Sequence, residues 1–131
     1  MSYSKDLTDI IEHSYQEGVT MEEAERLAGR FLHAQIQMGE QVRLADLDCR
    51  MKKQGLKAVK AAIYLAEVQA ADKKPSDVLL QAKVDVNELV AAEQTSFDKA
   101  ECLLHEMQNL LGVYNQAHVH FRSIAKGAFN G

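Results

Sequence analysis

Two runs of apolar residues, spaced alternately four and three apart and parted by the chain's single proline, restrict this sequence more than any other feature. The first runs Ala24, Ala28, Phe31, Gln35, Met38, Val42, Ala45, Cys49, Lys52, Leu56, Val59, Ile63, Ala66, Ala70, with twelve of the fourteen apolar. The second runs Leu79, Ala82, Val86, Leu89, Glu93, Ser96, Ala100, Leu103, Met107, Leu110, Tyr114, Ala117, Phe121, Ile124, again with twelve apolar. Spacing of this kind lays a stripe along one face of a helix and is incompatible with the two-residue period of a strand. Equal seams joined by a short turn through Asp72-Lys-Lys-Pro75-Ser76 predict an all-α, coiled-coil-like antiparallel helical hairpin. Each arm is expected to be roughly 70 Å long at 1.5 Å per residue.

Local signals set the ends. Thr20-Met-Glu-Glu23 is a capping box, and Ser76 is placed to cap a new helix after Pro75, which disfavours helix at the residue before it. Gly127 after Lys126 is a C-terminal stop. The expected layout is one helical domain over 1–131, with a short amphipathic helix at 4–17 (Leu7, Ile10, Ile11, Tyr15) released by Gly18. Long helices follow at 21–72 and 77–126. Gly55 leaves two readings of the first arm, a break or a continuous helix that tolerates it, since an interior Gly costs about 1 kcal/mol relative to Ala.

The hairpin leaves apolar surface over. Val90, Phe97, Leu104 and Leu111 form a heptad-spaced row beside the second seam, and Leu44, Leu47, Met51 and Leu65 widen the first. An apolar stripe wider than one seam needs another surface, so a homo-oligomer is expected, with Val90, Phe97, Leu104 and Leu111 as its interface. Across the hairpin, Lys52 is expected near Glu93 and Ser96, where a Lys–Glu pair would fix register.

Composition agrees with helix: 47% of the 131 residues are hydrophobic and 6% aromatic, with no Trp. No apolar run approaches the ~20 residues of a membrane span. A secretory signal is not expected either, because the first segment has neither a basic start nor an apolar core. Two cysteines are too few for a disulfide scaffold, which points to a reducing, cytoplasmic setting. Cys49 and Cys102 fall at roughly opposing heights and are expected as buried thiols.

Catalytic patterns are lacking. His118 and His120 are two apart and diverge on a helix, His33 and His105 are isolated, and no HExxH, CxxC or phosphate-cradling Gly loop occurs. Glu22, Glu23 and Glu25 with Glu88 and Glu93 resemble the carboxylate sets of all-helical nucleotide pyrophosphohydrolases, but the two sets belong at separate heights of the hairpin. No enzyme, metal or cofactor is expected.

Charge is uneven within the net −4: residues 1–48 carry −6 and residues 49–131 carry +2. Between Asp48 and Glu67 there is no acid, while Arg50, Lys52, Lys53, Lys57 and Lys60 all fall there. Arg50, Lys53, Lys57 and Lys60 are spaced three, four and three, which gathers them on one helical face with Lys52 adjacent. Such a stripe is either a solvated charged face or, repeated around an oligomer, a belt that tracks a sugar–phosphate backbone without reading sequence. Tyr64 follows one turn later as the nearest aromatic.

Leu32-His33, the stretch through Glu40 and Leu44, Arg50-Met-Lys-Lys53 and then Tyr64 together resemble the UvsY recombination mediators of phages. The tail Ala117-His-Val-His-Phe-Arg122-Ser-Ile-Ala-Lys126 is similar to that family's terminal helix, so the resemblance spans roughly residues 27–127. It implies an oligomeric ring that binds single-stranded DNA in the host cytoplasm and helps load a recombinase onto DNA covered by single-strand-binding protein. The matching positions are Arg50, Lys52, Lys53, Lys57 and Lys60, with Arg122 and Lys126 added by the resemblance. A coiled-coil adaptor that acts only through protein–protein contacts needs nothing beyond the seams.

Overall fold

Thr20 opens the first helix as its sequence requires: its hydroxyl oxygen accepts the Glu23 amide at 3.2 Å, while Glu22 and Glu23 place negative charge against the N-terminal dipole. A computed structural model describes residues 9, 19–73 and 75–127. Among them the regular elements are three α-helices: α1 (Met21–Ala70), α2 (Asp77–Asp85) and α3 (Glu88–Ala125). The short helix expected at 4–17 lies, apart from Asp9, outside the described residues.

α1 runs unbroken through Gly55. An alanine Cβ built there would stand 3.7 Å from a Glu93 carboxylate oxygen, an ordinary contact. Gly55→Ala is therefore expected to stabilise the chain by about 0.5–1 kcal/mol, read as a higher urea midpoint with unchanged slope. The Lys52–Glu93 pair expected across the seam is replaced by a local one, in which Lys52 Nζ bonds Asp48 Oδ2 at 3.1 Å one turn earlier. A four-residue reach along one helix costs less side-chain ordering than a reach between helices.

The second long helix expected from 77 to 126 is divided in two. Ser76 caps α2 through the Leu79 amide at 3.3 Å. α2 then closes on two backbone bonds, Val86 N–H to the Ala82 carbonyl and Asn87 N–H to the Val84 carbonyl, both 3.2 Å. Asn87 restarts the chain, its Oδ1 accepting the amides of Leu89 (2.9 Å) and Val90 (3.3 Å), with Glu88 supplying first-turn charge. Asn87→Ala removes the one oxygen that accepts both amides and is expected to cost about 1 kcal/mol in chemical denaturation. At the far end Gly127 takes φ 61° and its amide bonds the Ile124 carbonyl at 3.0 Å, ending α3 as expected.

The break changes which residues face inward. Leu79, Val86, Leu89 and Leu103, expected in the seam, are exposed, whereas Leu80, Val84 and Val90 are buried. Ala66 and Ala70, the last seam positions of α1, are exposed too. Of the row expected at an oligomer interface, Val90 is 3% and Leu104 7% exposed within the single chain, so these two side chains lie in its own interior, whereas Phe97 and Leu111 are half-buried.

Contacts divide the chain into two compact units: Met1–Gln41 with Met107–Gly131, and Val42–Glu106. The first is organised around Phe31, Tyr114 and Phe121, all fully buried, with ring centroids 6.1 Å apart for Phe31–Tyr114 and 5.6 Å for the stacked Phe31–Phe121 pair. Two polar bonds flank the rings. Gln35 Nε2 donates to Asn115 Oδ1 at 3.2 Å, and His118 Nδ1–H donates to the Ala28 carbonyl at 2.9 Å. In the second unit Cys49, Ala100 and Leu104 pack with Val42, Ala45 and Phe97. Leu56, Val84 and Val90 pack with Val59, Ile63, Tyr64 and the same Phe97. Cys49 is buried as expected, but Cys102 is exposed, in a shallow groove with Thr95, Asp98, Lys99, Leu103 and Glu106.

Candidate nucleic-acid interface

The cations expected on one face all lie on α1 in the 42–106 unit, where an unbroken helix turns their three–four–three spacing into a stripe about 15 Å long. Their local partners differ. Arg50 Nε bonds Asp46 Oδ2 at 3.1 Å and Lys52 is held by Asp48, both as acid-before-base pairs one turn apart. Such exposed pairs contribute only about 0.3–0.5 kcal/mol each, so a polyanion competes with them at small expense. Lys53 and Lys57 are exposed, and among the described residues no ion pair engages them. Lys60 is half-buried at the rim of a shallow groove with Asp85, Val90, Ala91, Gln94 and Thr95. The ammonium groups best placed to meet phosphate are thus Lys53 and Lys57.

Tyr64 has a structural job. Its hydroxyl donates to Asp77 Oδ1 at 3.1 Å and so ties α1 to the first turn of α2, beside the Lys83–Glu67 pair at 3.6 Å. That bond to the Asp77 carboxylate holds the phenol above its usual titration range, with burial and the carboxylate's charge acting the same way. An edge tied in this way leaves Tyr64 a poor partner for a stacked base.

Arg122 and Lys126 belong to the other unit, exposed one turn apart at the C-terminal end of α3, where positive charge complements the helix dipole. Arg43 was missed by the sequence reading because it precedes the acid-free run and sits among Glu40, Asp46 and Asp48. On the helix it is exposed and stands seven residues before Arg50, which stands seven before Lys57. These three cations line one flank of α1 at heptad spacing.

Among the described residues no three His, Cys, Asp or Glu side chains converge as a metal site, and no helix is long and apolar enough to cross a membrane. No protein-family profile, curated protein or solved structure matches the chain. The resemblance to the recombination mediators therefore rests on the residues quoted for it.

Proposed function

We propose that this protein is a non-enzymatic, homo-oligomeric single-stranded-DNA-binding accessory factor of phage-type homologous recombination, acting in the host cytoplasm to load a recombinase. In this reading α1 pairs along its length with α2 and α3 as one antiparallel hairpin. Single-strand-binding protein and the recombinase are its protein partners. The supporting observation is the cationic stripe of α1, with Lys53 and Lys57 exposed and outside any ion pair among the described residues. Binding is backbone-directed and sequence-tolerant, because the stripe supplies charge but no free aromatic platform.

Fluorescence anisotropy of a labelled single-stranded oligonucleotide, titrated at several salt concentrations beside matched duplex, tests this. Tight binding that prefers single strands and weakens with salt is expected. Lys53→Glu with Lys57→Glu should abolish binding at moderate salt. Where residual binding is measurable at low salt, the log–log salt slope should flatten by about 1.4 per protomer, two phosphate contacts at 0.7 each. Absence of binding at low salt by intact protein overturns the reading.

A second reading has its own observation. Leu44, Leu47, Met51 and Leu65 are exposed on α1, so an adaptor that works only through protein–protein contacts has a surface to use. Under that reading the Lys53/Lys57 charge reversal leaves function intact.

A further inference from the structure

α1 carries apolar residues on two opposed faces within the 42–106 unit. Val42, Ala45, Cys49, Leu56, Val59 and Ile63 pack inward. At 100° per residue, Leu44, Leu47, Met51, Ala58 and Leu65 lie on the far side of the helix. The large ones are open to solvent, Leu44 at 50%, Leu47 at 51%, Met51 at 65% and Leu65 at 58%. Their spacing continues through the exposed Gln54 and Ala61 to give an unbroken heptad series, 44, 47, 51, 54, 58, 61 and 65.

We infer that this outward face of α1 is a self-association seam on which a second copy of the chain packs parallel and in register. This deepens the oligomeric part of the function proposed above and rests on that part alone, not on DNA binding.

Charge selects the orientation. One flank of the series holds Arg43, Arg50 and Lys57, and the other holds Asp48, Gly55 and Ala62. In a parallel pair each flank meets the opposite flank of its partner, so Arg43 faces the second copy's Asp48, and Arg50 and Lys57 face small uncharged positions. An antiparallel pair would set the cationic flank against itself. The polar position agrees. In register, two Gln54 amides meet and satisfy one another, whereas an antiparallel seam sets Gln54 against Met51 or Ala58 and leaves a buried amide without a partner.

Sedimentation equilibrium of the full chain at tens of micromolar reads the mass, and circular dichroism reads the fold. Wild type should sediment at two or more protomer masses. Leu47→Glu with Met51→Glu should sediment at one, with helicity retained, because both side chains are exposed within the chain. Leu44→Cys and Leu65→Cys, each with Cys102→Ser, should each form a disulfide with its own copy on mild oxidation. A monomeric wild type overturns the seam, as does assembly that survives the double Glu variant. Cross-linking only when the Leu44→Cys and Leu65→Cys proteins are mixed overturns the parallel orientation. A monomer that still binds single-stranded DNA sinks the seam but not the DNA reading, and an oligomer that binds none does the reverse.

Discussion

Phe31→Ala is expected to lower the unfolding free energy by about 3–5 kcal/mol, a large share of the roughly 5–15 kcal/mol of an ordinary domain. Phe31 is fully buried, stacks on Phe121 with 12° between ring planes, and meets Tyr114 at 43°. Truncation removes the central ring of three, so the loss combines transfer of the aromatic side chain, a cavity between two rings that cannot close on each other, and two aromatic contacts. The neighbouring small residues Ala24, Ala28, Ala34 and Ala117 are buried and too short to fill the space. Urea denaturation followed by far-ultraviolet circular dichroism measures the effect. A loss below about 1 kcal/mol would show that the ring trio does not organise this unit.

Leu104→Ala should cost about 2–5 kcal/mol in the same measurement, while leaving the mass of the folded protein unchanged. Leu104 packs with Cys49 and Ala100 in the interior of the 42–106 unit, and Phe97, Val42 and Ala45 close around it. That position makes it part of the chain's own core. An interface residue would show the converse pattern: dissociation with the protomer intact, as expected instead for Leu47 and Met51. Comparing sedimentation with denaturation for Leu104→Ala and for the Leu47/Met51 variant separates core from seam by two independent readouts.

Much of the local architecture was legible. Helix ends are decided within one turn, by side-chain oxygens three residues from an amide and by residues tolerant of positive φ, so Thr20, Ser76 and Gly127 were readable from the sequence. Asn87 sends a signal of the same kind, an amide side chain followed by Glu88, but it lies inside an apolar run whose heptad spacing suggests continuity. Spacing alone carries one phase through from Leu79 to Leu89, and the cap at Asn87 breaks it. The basic stripe was legible because helix geometry alone gathers Arg50, Lys53, Lys57 and Lys60. Which of those cations are already paired was not, since Asp46 and Asp48 precede the acid-free run that drew notice to them.

By itself the sequence determined that the chain is helical, where α1 begins, and that Arg50, Lys53, Lys57 and Lys60 share a face, because each depends on residues three or four apart. The inward face of α1, with Val42, Ala45, Cys49 and Leu56, is readable in the same way, as one stripe of a continuous helix. Only the tertiary structure decided which residues of the second arm turn inward. Leu79, Val86, Leu89 and Leu103 keep heptad spacing yet are exposed, while Leu80, Val84, Val90 and Leu104 are buried. The physical reason is the interruption at Asn87, which ends one helix and starts the next in a phase that spacing along the chain does not encode.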